Sequence, residues 1–349
     1  MRIVFFCSVL AVFIFTFVML ISPHTLEEDV FVLEAVPQDD KIISNSSLEL
    51  LFVGDIMLGR EVESRMEQNG MLYPFQHVQE LLIAPDMTIG NFEGIVSAEH
   101  VQTPSMGFQF SIKSEYLTLL KYIGFDILSL ANNHSGDFGV EALTYTRELC
   151  RELDIFCAGS STEFDTYSII IKEFDTKKIG FIFLHTLYQK QDTAVLTSAL
   201  NALRSESDIQ IAYIHWGDEY VLTHTDTQQQ LAEFLIDFGV DAVVGHHPHV
   251  VQDITLYKNK PIFYSLGNFV FDQYFSDAVQ EGLGVQMKIE AEKITYTLIP
   301  FSSKAVRNQP VRMQESDSQI LFSRILKNIT DMPAVDVVTG TIIIHNDLF

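Results

Sequence analysis

The stretch Ala242-Val-Val-Gly-His-His-Pro-His-Val250 decides how this chain is read. A short apolar run ends in glycine and then presents three histidines within four positions, an arrangement for which a core strand has no use. Neutral imidazole is a nitrogen donor for transition metals near neutral pH, and a strand end fixes where each ring points. In extended backbone His247 and His249 alternate across Pro248 and face one side, leaving His246 turned away as a packing or supporting residue. Taken alone, the segment also reads as a histidine-rich turn, so the case depends on what the other strand ends carry.

Working outward, short apolar runs alternate with amphipathic stretches. Strands are expected over Leu48 to Val53, Met87 to Ile89, Phe125 to Leu130, Ile179 to Leu184, Ile209 to Ile214, Ala242 to Val244 and Pro261 to Tyr264. Helices are expected at Leu117 to Tyr122, Val140 to Leu153, Ala194 to Arg204 and Thr227 to Phe238. The alternation defines an α/β architecture. From about Gly282, patterns such as Val285-Gln-Met-Lys-Ile-Glu predict antiparallel strands that finish a sheet or cover its edge. In α/β sheets, functional groups collect outside the carboxyl ends of strands. There this chain carries Gly54-Asp-Ile-Met-Leu-Gly-Arg60, Gly90-Asn-Phe-Glu-Gly94, Ala131-Asn-Asn-His-Ser-Gly-Asp137, His215-Trp-Gly-Asp-Glu219 and Ser265-Leu-Gly-Asn268. Five such coincidences argue for one shared site.

A divalent cation needs donors from several elements, and Asp, Glu or Asn oxygen with His nitrogen suits Mn, Fe or Zn. Asp55, Glu93, Asn133, His215, His247 and His249 supply that mixture, for one or two ions. His134, beside Asn133, is the candidate proton donor to a leaving group. Asn132 and Asn133 also fit helix capping, and Asp137 reads as a cap more readily than as an orienter of histidine. Arg60 is a catalytic candidate as a bidentate holder of phosphate or carboxylate, with an ion pair the equal alternative. Trp216, the one tryptophan, belongs to the core or a pocket wall.

Length and charge bound the rest. The 349 residues are 47% hydrophobic and include 27 Phe, enough for a large core. The 46 acidic against 22 basic side chains give a net charge of −24, which argues against nucleic acid and anionic membrane surfaces as partners. From Ile3 to Ser22 the chain is uncharged and apolar, roughly the 20 residues that cross a bilayer as a helix. Arg2 precedes it and Glu27, Glu28 and Asp29 follow, so the expectation is a single-pass cell-membrane anchor with the body outside the cytoplasm. A cleaved signal peptide is the competitor. The expected organisation is an anchor over 1–22, a linker over 23–47 and one domain over 48–349. Cys7 falls in the anchor, leaving Cys150 and Cys157 to form one small loop or to remain buried thiols.

These blocks, with Leu130-Ala-Asn-Asn-His134, Gly245-His-His-Pro-His-Val250 and Tyr264-Ser-Leu-Gly-Asn-Phe269, resemble the bacterial CapA family of capsule synthesis proteins linked to poly-gamma-glutamate production, over roughly Leu48 to Asp272. That family is similar in fold to calcineurin-like metallophosphoesterases. The resemblance therefore implies a layered α/β/β/α sandwich around a metal centre. It matches Asp55 to the first metal aspartate, Asn133 and His134 to an Asn-His pair, His215 to a lone histidine, and His247 with His249 to a final histidine pair. Two positions depart from the pattern: Met57 stands where a histidine is wanted, and Asn91, with Glu93 nearby, where a bridging aspartate is wanted. Both a one-metal and a two-metal centre stay open.

Three functions follow. In the first, a metal-dependent hydrolase cuts a phosphoester or gamma-glutamyl amide, with His134 protonating the departing group. In the second, a non-catalytic accessory subunit grips an anionic polymer such as poly-gamma-glutamate beside other capsule synthase or export subunits. In the third, the fold is a relic with a vacant centre.

Overall fold

The computed structural model describes residues 47–175, 177–187, 192–330 and 332–345. The expected membrane helix over 1–22 and all but the last residue of the linker lie outside the described residues. Among the described residues no helix is long and apolar enough to cross a membrane.

Two mixed sheets stack face to face. The first runs in the order Val335–Asp336, Thr341–His345, Lys293–Ser302, Glu281–Ile289, Leu48–Ile56, Met87–Phe92, Phe125–Ser129, Phe156–Ala158. Its last four strands are parallel, and the Glu281 and Lys293 strands continue it antiparallel, as their alternation predicts. The second runs Ile254–Tyr257, Lys260–Phe263, Ala242–His246, Ile209–His215, Lys178–His185, Ile169–Glu173, parallel through its four central strands.

Successive side chains of a strand point to opposite faces, and here both faces are covered, which is why the strands read as unbroken apolar runs. Along Leu48–Ile56, Leu50 and Phe52 enter the core between the sheets while Leu51 and Val53 pack toward the helices. Along Ile209–His215, Ile211 and Tyr213 face that inter-sheet core while Ala212 and Ile214 face the other way. Helices Arg60–Asn69, Glu115–Tyr122 and Gly139–Glu152 bury Val62, Leu120 and Leu143 on the outside of the first sheet. Thr193–Glu206 and Asp226–Asp237 bury Leu200 and Leu235 on the outside of the second. The layering is therefore helix, sheet, sheet, helix. Helix Glu315–Ile325, which the sequence reading did not anticipate, closes the inter-sheet core with Leu321, Phe322 and Ile325.

Caps fix several helix starts. The Thr225 hydroxyl accepts from Gln228 N while the Gln228 side chain accepts from Thr225 N, satisfying two otherwise orphaned donors. Cys150 and Cys157 are joined, their Cα atoms 6.0 Å apart, so the helix Gly139–Glu152 is cross-linked to the edge strand Phe156–Ala158.

Candidate metal centre

The carboxyl ends of strands from both sheets deliver the polar residues to one place. Asp55 lies in register with Asn91 on one side and Asn268 on the other, and His215 lies in register with His246. Gly54 makes the crossing possible. Asp55 N donates to Gly267 O at 2.9 Å, and a Cβ at position 54 would lie 2.0 Å from that same oxygen. Only glycine lets the two backbones approach so closely.

Around Asp55 the contacts close into a network. Asn91 Nδ2 donates to Asp55 Oδ1 at 2.8 Å, approaches Glu93 Oε2 at 3.4 Å, and stands 3.3 Å from His215 Nδ1. His215 Nε2 is 2.7 Å from Asn133 Oδ1, an arrangement in which the ring donates and the amide oxygen accepts. His249 Nδ1 is 3.3 Å from Asp55 Oδ2, although its proton is directed at Asn268 Oδ1, 3.0 Å away. His249 Nε2 is 3.6 Å from Glu93 Oε1, and His134 Nε2 is 3.7 Å from that same oxygen. The His247 ring sits 4.8 Å from that of His215. All six residues expected to bind metal, together with His134, thus converge. Asp55, Glu93 and His249 each bring one ligand atom within 4.8 Å of the other two, and all three are buried.

The electrostatics are those of a dry, charged pocket. Burial drives Glu93 up to about 8, with the His249 charge opposing it and Asp55 adding to it. Burial drives His247 down to about 3, helped by the neighbouring His249 charge. Burial alone would lower His249, but Glu93 and Asp55 hold its proton and take it to about 9. Burial would raise Asp55, yet the His246 and His249 rings beside it keep it well below the usual carboxylate range. His215 is held well below its ordinary value by burial and by His247.

Among the described residues, Asp55 Oδ2, Glu93 Oε1, His246 Nε2 and His247 Nδ1 are buried with no hydrogen-bond partner. Leaving a buried polar atom unsatisfied costs about 1–3 kcal/mol, and two of these atoms belong to Asp55 and Glu93, whose ligand atoms lie within 4.8 Å of each other and of one from His249, so that pair calls for a shared partner. Mixed carboxylate and imidazole donors suit a divalent transition ion, and these residues fit one.

Several sequence expectations change. His246 does not turn away, yet it is the packing and supporting residue expected: its Nδ1 is 3.2 Å from Asp55 Oδ1 and its ring lies 4.3 Å from that of Tyr213. The premise of extended backbone fails, since His247 has φ 99° and His249 φ 56°. Non-glycine residues in that region cost on the order of 1–3 kcal/mol and cluster at functional sites. The two asparagines divide their work. Asn132 Oδ1 accepts from the backbone N–H groups of His134 and Ser135, while Asn133 points at His215. Asp137 is not a cap. The residue preceding helix Gly139–Glu152 is Phe138, which makes no side-chain capping bond, and Asp137 Oδ2 instead accepts from His134 Nδ1 at 2.9 Å and from Phe110 N at 2.7 Å. The Phe110 ring stacks on His134 at 3.9 Å.

Arg60 is engaged within the protein. Its Nε and Nη2 both donate to Asp272, its Nη1 donates to Gly107 O, and its guanidinium lies over the Phe110 ring. Trp216 is a core residue whose Nε1 donates to Tyr264 O. Three contributors went unselected in the sequence. Asn91 is a hub rather than a mere departure, Asn268 holds His249, and Glu219 brings a ligand atom within 4.8 Å of His247 and His249. Each lies in a block that was read, yet none could be chosen over its neighbours from pattern alone.

Fold and site together define a two-sheet α/β protein with a buried carboxylate–imidazole centre at its strand ends. Residues 49–273 match the family model described as bacterial capsule synthesis protein PGA_cap, and the chain belongs to that family. It is similar to the capsule biosynthesis protein CapA of Bacillus anthracis, with 30% identity over 81% of this chain and 72% of that protein. It is also similar to the PGA biosynthesis protein CapA of Bacillus subtilis, with 35% identity over 67% of this chain and 66% of that protein. The overlay on a phosphatase from Mycoplasma pneumoniae is loose, with TM-score 0.46 and 16% identity over 70% of this chain and 88% of that one.

Proposed function

We propose that this protein is a metal-dependent hydrolase of capsule polymer biosynthesis, acting outside the cytoplasm on a glutamate polymer or its activated precursor and held at the membrane by the apolar run Ile3–Ser22. The observation that carries the proposal is the convergence of Asp55, Glu93 and His249 in full burial, with Glu93 Oε1 and His247 Nδ1 lacking a hydrogen-bond partner among the described residues. Asp55, Glu93 and His249 would hold a divalent ion, with His215, His247 and Asn133 around it. When bound, such an ion supplies Lewis acidity to an oxygen at the site.

The chain's own groups do the rest. The carboxylate of Asp137 accepts from His134 Nδ1, which orients the ring. Its Nε2 is thereby left facing Glu93 and the centre, where it holds a proton for a departing group. Phe110 stacked on that ring and Asp272 holding Arg60 fix the pocket wall, so Arg60 acts as a positioning residue.

The test is turnover of a gamma-glutamyl chain and of a generic phosphodiester by the purified protein with added Mn or Zn. His134→Ala should lower the rate by about 10²–10⁴ with bound metal unchanged. No turnover with either metal removes the catalytic reading. Relatives named for a pathway rather than a reaction favour, in second place, an accessory role in polymer synthesis. Undiminished polymer output from cells carrying His134→Ala would support it.

A further inference from the structure

We infer that Arg65 and Arg307, gathered around the shared carboxylate of Glu61, form a strip that binds the carboxylates of an extended anionic polymer, an inference that rests on the reading above and gives its substrate a second point of attachment. The chain carries a net charge of −24, so most of its surface repels a polyanion. At this strip the balance reverses. Arg65 Nε and Nη2 donate to Glu61 Oε1 at 2.9 and 2.7 Å, and Arg307 Nη1 lies 3.3 Å from the same oxygen and 3.2 Å from Oε2. The neighbouring Arg60 has a carboxylate of its own in Asp272. Three guanidiniums therefore meet two carboxylates, and one positive charge is left over. Burial would raise Glu61, yet Arg65 and Arg307 hold it below its ordinary value, so it stays ionised and the count holds.

Arg307 is fixed in place while its donors stay open. Its side chain is 50% exposed, its guanidinium lies 4.4 Å over the Tyr274 ring, and its Nε and Nη2 make no hydrogen bond among the described residues. The Tyr73 hydroxyl donates to Arg307 O at 3.1 Å, Asn308 N donates to the Tyr274 hydroxyl, and Asn308 Nδ2 donates to Phe271 O at 2.8 Å. Phe271 in turn holds its ring 4.8 Å from that of His249. Arg60 joins the strip to the centre by a second route, lying over Phe110, which stacks on His134. The strip is thus the next layer of side chains out from the pocket wall. An open guanidinium edge takes a carboxylate through two parallel N–H···O bonds. A chain that repeats carboxylates along its length can seat one unit at the centre while units further along pair with Arg307 and Arg65.

The experiment is fluorescence anisotropy of labelled poly-gamma-glutamate titrated with the full-length protein at low salt, for the unaltered protein, Arg307→Gln, Glu61→Gln and Lys258→Gln. Arg307→Gln should weaken binding by about 5-fold, the effect of one partly solvated ion pair. Glu61→Gln should tighten it, because both guanidiniums lose their shared partner, whereas a role confined to bracing helix Arg60–Asn69 predicts a loss in both variants. Lys258 is 59% exposed in the turn before strand Lys260–Phe263, at the amino end of that strand, and its replacement removes the same charge while leaving the affinity unmoved. Raising the salt concentration should erase the differences. Equal affinity in Arg307→Gln and the unaltered protein, weaker binding in Glu61→Gln, or a loss in Lys258→Gln as large as in Arg307→Gln would overturn the strip. Binding that follows the expected pattern without any turnover would leave the strip standing and remove the hydrolase reading.

Discussion

Two buried meetings of carboxylate and histidine in this molecule use the same chemical groups to opposite ends. At Asp253, Oδ1 accepts from His224 N and faces its Nδ1, both at 3.0 Å, Oδ2 accepts from Asn328 Nδ2 at 2.7 Å, and the His224 ring stacks on Tyr264 at 3.9 Å. Both oxygens there are satisfied. At the strand ends, by contrast, Asp55, Glu93, His246 and His247 each keep a buried atom without a hydrogen-bond partner among the described residues. Residue type and burial do not separate a structural pair from a functional centre. What separates them is the unfinished hydrogen bonding, which folding tolerates only where something else completes it.

The contrast can be broken most directly with Asp55→Asn, which should weaken Mn(II) binding by about 100-fold or more, read by calorimetry. Unchanged affinity would erase the distinction between the two regions. Mn(II) at a hundred times its dissociation constant should raise the unfolding free energy by about 2.7 kcal/mol, measured by urea denaturation, and Asp253→Asn should leave that increment intact. The same Asp253→Asn change should cost about 1–3 kcal/mol of stability with no loss of bound metal, since it leaves the His224 and Asn328 donors facing an amide. If it depletes the metal, the two regions are not independent.

The smallest effect is a pH dependence. Burial would raise Asp253, but the His224 ring and backbone outweigh it and hold the carboxyl below its ordinary value. Its folded state therefore titrates below its unfolded state, near 3.9. Its contribution is fully present above a pH of about 4 and is lost as pH falls through the folded value. Asp253→Asn should flatten that part of the stability profile. A decline below pH 4 that is identical in both proteins would assign it to other carboxylates.

Much of this was legible in the chain. Apolar runs ending in glycine and polar residues marked the strand ends, because strands covered on both faces stay mostly apolar until they stop. Period-two alternation from Gly282 announced the antiparallel strands. What failed was local backbone geometry. Extended spacing put His246 on the wrong side, because the backbone is not extended beyond it, with φ 99° at His247 and 56° at His249. Partners far apart in sequence were equally hidden. Arg60 and Asp272 stand 212 residues apart, and no spacing rule could show that the guanidinium was already taken. Glu219 was quoted within its block and passed over, since an exposed acid after a strand has the look of any solvated loop residue.

The sulfur–sulfur link between the end of helix Gly139–Glu152 and the adjoining edge strand gives the proposed location outside the cytoplasm a chemical signature. Such links persist outside the cytosol and are reduced within it. On the proposed location, Cys150 and Cys157 of the mature protein should resist alkylation until a reductant is added, with Cys7 the remaining thiol. Ready alkylation of Cys150 and Cys157 without reductant would count against that location.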